Sequence, residues 1–148
     1  MNPPIDPAPT SLLVFPESES ARRQALLDLF AEWEAALGAS LPPHQAHFAD
    51  TFVRDGFYPH YFSQPLKILF IGRESLGIAG CDYLDVLLSS YRENKYVGKQ
   101  HLNIHRFHSR LLYVAYGLLN DHVRWEDIPP ADEIGDTFAT PEGISFAF

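Results

Sequence analysis

The stretch Lys67-Ile68-Leu69-Phe70-Ile71-Gly72-Arg73-Glu74-Ser75 decides how this chain is read. Ile68 to Ile71 are four large apolar residues in a row. Pro65 stands before the run and Gly72 closes it. Continuous rather than alternating apolarity suits a central strand covered on both faces. The pattern therefore predicts a strand over residues 67–72, interior to a sheet, with helices on either side.

Working outward, Gly143-Ile144-Ser145-Phe146-Ala147-Phe148 reads as a second strand. The residues between the two strands leave room for a crossover, so the pair is expected to be parallel. The fold class that follows is α/β: three layers, with a small parallel central sheet flanked by helices. Two strands are too few for independent stability. Further strands, a longer chain, a second copy or a partner would have to complete the sheet.

Helical periodicity supplies the flanking layers. Leu26, Phe30, Trp33 and Leu37 fall on one stripe of a helix from Ser20 to Leu37, with Ser18 or Ser20 as its cap and Gly38 at its end. A second helix is expected from His44 to Arg54, a third from Asp82 to Tyr91 and a long one from His105 to Asn120. Residues 92–104 and 121–142 read as loops. Residues 1–16 carry five of the twelve prolines and read as an extended arm, leaving 17–148 as a single domain.

Composition narrows the function. The net charge is -8, which disfavours non-specific binding to nucleic acid except through a local basic patch. Cys81 is the one cysteine, so neither an internal disulfide nor a multi-thiolate metal site can form. With no basic start followed by an apolar run and no long apolar stretch, the expected location is the cytoplasm, with no membrane partner.

Two places could carry chemistry. The turn after the first strand brings Gly72, Arg73, Glu74, Ser75 and Gly77 to the carboxyl end of a strand, where ligands bind in open α/β sheets. Arg73 can clamp a phosphate and Glu74 can orient a water. A plain turn with a solvated ion pair is the competing reading. The glycines do not form a phosphate loop. Second, residues 92–110 hold Arg92, Lys95, Lys99, Arg106 and Arg110 against one acid, Glu93, with Tyr91 and Tyr96 beside them. Cations interleaved with aromatics suit a nucleic-acid backbone; a solvated loop explains them equally well. His101, His105 and His108 have zinc-like spacing, but no carboxylate or cysteine completes the set and the basic neighbours oppose a cation. No metal and no cofactor is expected. Cys81 reads as a small filler.

In the turn residues the chain resembles the uracil-DNA glycosylase-like superfamily, whose sheet begins with an apolar strand ending in a glycine and a short catalytic turn. Against the pattern G-x-D-P-Y, Glu74 falls at the water-activating aspartate. Against G-E-A-P-G, Arg73 replaces the glutamate. Ser75 stands at the proline of both. The resemblance spans residues 57–148, and the family's histidine loop has no counterpart up to Phe148, which implies an incomplete domain. It implies DNA as partner, base excision with Glu74 and Arg73 as catalytic residues, and Gly72, Ser75, Gly77, Lys95, Lys99, Arg106 and Arg110 on the substrate. Two functions stay open: a domain that binds or processes nucleic acid, inactive in this form if the missing loop is essential, or a non-enzymatic interaction module completed by a partner or a second copy. A small nucleotide-binding enzyme using the same turn is a weaker third.

Overall fold

A computed structural model describes residues 12–72 and 80–148. Helices dominate. In chain order they are α1 (Glu17–Ser40), a 3-10 segment (Pro43–Thr51), a 3-10 turn (Tyr61–Ser63), α2 (Tyr83–Ser89) with a π turn (Ser90–Asn94), α3 (His108–Leu119) and α4 (Ala131–Asp136). Two further 3-10 turns lie at Leu102–Ile104 and Trp125–Asp127. Among the described residues the one sheet is an antiparallel pair, β1 (Tyr96–Val97) and β2 (Gln100–His101).

The three-layer α/β fold with a parallel central sheet is therefore not what the chain adopts. Residues 67–72 pair with the end of the chain through one isolated parallel bridge, Leu69 with Ala147. Its two bonds run from Phe70 N to Ala147 O and from Ala147 N to Ile68 O, each 2.9 Å. The direction matches the expectation; the layers do not. Leu69 is 57% exposed and Ile71 91% exposed, whereas Ile68 is buried. The run thus obeys a period of two with one covered face, and it forms an isolated bridge and not a doubly covered interior strand. Four consecutive apolar residues cannot distinguish these cases, because the outward pair is as apolar as the inward pair.

The other flank of residues 144–148 is taken by the aromatic connector. Tyr58 N donates to Phe146 O (3.1 Å) and Phe148 N to Gly56 O (2.8 Å). The Gln64 amide acts as a further strand edge: Nε2 donates to Ser145 O (2.8 Å) and Oε1 accepts from Ser145 N (2.6 Å). These bonds hold an aromatic core. Phe146 lies edge-on to Tyr58, Phe70 and Phe148, and against Phe138 at 4.8 Å between centroids. Leu84, Leu87, Leu88, Tyr91, Leu112 and Ala115 extend that core into α2 and α3.

Helix α1 reaches past both expected ends. Pro16 precedes it with no side-chain cap, and Gly38 lies inside it. Phe30 is buried, but Trp33 faces solvent. What anchors α1 is Glu19, a buried carboxylate that accepts from His60 N (2.9 Å) and Phe62 N (2.8 Å). A buried carboxylate needs such donors. The expected helix at 44–54 is a 3-10 segment instead. Both expected loops contain structure: the β1–β2 hairpin in one and α4 in the other. Asp82 caps α2 by accepting from Leu84 N (3.0 Å) and pairs with Arg23 at 2.9 Å, tying α2 to α1.

Candidate functional site

Of the turn that begins at Gly72, Arg73, Glu74, Ser75 and Gly77 lie outside the described residues. Gly72 is exposed, and a Cβ added there would meet nothing within 4 Å. The neighbouring frame is described. Arg54 N donates to Cys81 O and Tyr83 N to Arg54 O. Arg23 stacks over Phe15 and pairs with Asp82, while its Nη1 is buried without a hydrogen-bond partner among the described residues. Burial, and then the nearby Asp82 charge, push the Asp55 carboxyl above its usual range.

The second predicted site is built by the segment that runs from the π turn through the hairpin into α3. Hairpin formation follows from Gly98, whose φ of 59° is left-handed and suits glycine at a tight turn. Tyr96 pairs with His101 across the hairpin, their rings edge-to-face at 5.1 Å. The chain then enters α3 through His105, whose Nδ1 accepts from Phe107 N (3.4 Å) and His108 N (3.3 Å) in the manner of a helix cap.

This arrangement separates the predicted cations. Lys95 is not free: its Nζ bonds the Asp136 carboxylate and the Asp132 carbonyl oxygen, so it locks the hairpin to α4. Asn103 adds to that lock by accepting from Asp132 N (2.9 Å). Lys99, Arg106 and Arg110 are exposed and, among the described residues, pair with no carboxylate; Arg92 is half-buried and also unpaired. In the same stretch of chain Tyr96 is 49% exposed and Phe107 47% exposed. Tyr91, by contrast, is core.

The three histidines do three different things. His101 faces Asp132 at 3.9 Å, His105 caps α3, and His108 is buried with its Nδ1 2.7 Å from the Tyr91 hydroxyl. Burial keeps the Tyr91 phenol protonated, its pKa well above the ordinary value, so the contact is a hydrogen bond between a neutral hydroxyl and the imidazole. Burial first, and then the His105 charge, lower the His108 pKa to about 4. Among the described residues no group of three His, Cys, Asp or Glu side chains could hold a metal ion, and no helix is long and apolar enough to cross a membrane.

Three features escaped the sequence reading. The buried Glu19 and the Lys95–Asp136 lock join residues far apart in the chain, and no local pattern marks them. The hairpin had a signal in Gly98. Comparisons with family models, curated proteins and solved structures give no match, so the chain's own residues carry the functional reading.

Proposed function

We propose that the chain binds nucleic acid through the surface formed by the β1–β2 hairpin and the start of α3. One observation carries this: on a chain of net charge -8, Lys99, Arg106 and Arg110 are exposed and, among the described residues, pair with no carboxylate, and Tyr96 and Phe107 are exposed in the same stretch of chain. Arg23, Arg54, Lys95 and Arg124, by contrast, each pair with a carboxylate. Unpaired cations supply phosphate contacts; exposed rings offer stacking platforms to unpaired bases. Base excision is the further step that the resemblance implies, and it would rest on Glu74 and Arg73.

Charge reversal tests the binding. Lys99→Glu with Arg106→Glu and Arg110→Glu should abolish binding to a labelled single-stranded oligonucleotide at low salt, measured by fluorescence anisotropy, with the melting temperature unchanged. Lys95 is left alone, because its loss would release α4. Equal binding by parent and variant would defeat the proposal.

A second reading, as an interaction module, has its own observation. Leu69 and Ile71 present an exposed apolar edge beside residues 144–148, and such edges accept added strands. Light scattering at rising concentration, with Leu69→Lys as the comparison, tests it: association that the lysine abolishes supports the reading, and a monomer throughout opposes it.

A further inference from the structure

Helix α1 stands apart from the main core. Among the described residues, none of its side chains joins the apolar cluster that links Tyr58 and Phe146 to α2 and α3. Its one buried apolar side chain, Phe30, packs instead on Trp33 of the same helix (6.0 Å between centroids) and on Phe52 (5.8 Å). Close by, Glu34 holds the Arg54 guanidinium through two bonds of 2.8 and 2.9 Å. The Arg54 backbone is in turn bonded to Cys81 and Tyr83. The second half of α1 is therefore fixed by rings and by a two-point ion pair.

The first half is held in another way. Leu26 lies over the Gly56 backbone. The remaining ties are polar or involve single rings. The buried Glu19 carboxylate accepts from His60 N and Phe62 N, and Arg23 pairs with Asp82 at 2.9 Å. Arg22 sits over the Phe62 ring at 4.6 Å, and Phe15, just before the helix, meets Phe57 edge-on at 5.5 Å. Charged hydrogen bonds exchange protein partners for water at a modest net cost. An apolar core opens only by exposing its shared surface at once. The first half of α1 can thus come away while the aromatic core stays closed.

We propose that this half of α1 is a strap with two latches, Glu19 and Arg23. When both release, it swings about the Phe30 and Glu34 end and bares the rings of Phe57 and Phe62. Phe57 is 8% exposed with the strap closed. It belongs to the connector that pairs with the end of the chain, through its bridge to Ala147.

Amide hydrogen exchange on the full chain, followed residue by residue by NMR, tests this. The His60 and Phe62 amides report on the Glu19 latch; the Tyr58 and Ala147 amides, bonded to Phe146 O and Ile68 O, report on the core. In the parent, His60 and Phe62 should exchange through an opening that leaves Tyr58 and Ala147 protected. Arg23→Gln removes the other latch and touches neither reporter. It should speed His60 and Phe62 about tenfold and leave Tyr58 and Ala147 unchanged. Equal protection of all four amides in the parent would overturn the proposal. So would an Arg23→Gln protein in which all four speed up alike, or none does.

Discussion

Replacing Gly143 with alanine costs more than about 3 kcal/mol of folding stability, the upper end of what overpacking usually does. A Cβ built at Gly143 would stand 1.7 Å from the carbonyl oxygen of Thr137 and 2.6 Å from its carbon. Both are backbone atoms, and neither can rotate away. The same turn is held by Thr140 N donating to Thr137 O (3.2 Å), Gly143 N to Thr140 O (3.2 Å) and Ala139 N to Ile144 O (2.8 Å). To make room, the turn must open, which pulls Ile144 and Phe146 out of the aromatic core. Gly117 provides the contrast. It lies within α3, and a Cβ there would meet one side-chain atom, Ile128 Cδ1, at 3.9 Å. Gly117→Ala should therefore stabilise the protein by about 0.5–1 kcal/mol, the helix-propensity gain. Urea unfolding of the two variants beside the parent checks both. A Gly143→Ala protein as stable as the parent would mean that this turn does not fix the end of the chain.

The second large effect is a loss of stability in acid from His108. Its folded pKa of about 4 lies below the 6.5 of an exposed histidine, chiefly through burial. The unfolded chain therefore binds a proton that the folded protein refuses. The resulting stability is full above pH 6.5, falls as the pH drops toward 4, and amounts to about 3 kcal/mol across that window. Carboxylates add their own losses, so a variant isolates the term. His108→Asn keeps a hydrogen-bonding amide for the Tyr91 hydroxyl but does not titrate. Its smaller volume lowers stability at every pH, while the fall between pH 7.5 and pH 4.5 should shrink by about 2 kcal/mol. An unchanged fall would show that His108 is not the group being titrated.

How much of this was legible in the sequence follows from how local each feature is. Helix α3 shows itself through Leu111, Ala115 and their neighbours at helical spacing, and residues 143–148 rightly read as pairing with 67–72. The layers were misread because Leu69 and Ile71, which face solvent, are as apolar as Ile68 and Phe70. Helix α4 was hidden by Pro129-Pro130 and three acids, yet Pro130 stands just before the helix and Asp132 and Glu133 lie in its first turn, where negative charge is favourable. The cationic stretch was visible as charge. Which cations remain free was not, because Lys95 is consumed by Asp136, 41 residues away. Likewise the spacing of His101, His105 and His108 did not show that His108 pairs with Tyr91 in the core.

The salt dependence of single-stranded DNA binding tests the central claim most directly. Three free cations, Lys99, Arg106 and Arg110, contacting phosphates would give a slope of about -2 in log K against log salt. Measured by anisotropy over a range of salt concentrations, the account predicts that slope for the parent and no measurable binding for the triple charge reversal. A parent protein that fails to bind at low salt, or whose slope the reversal leaves unchanged, would contradict it.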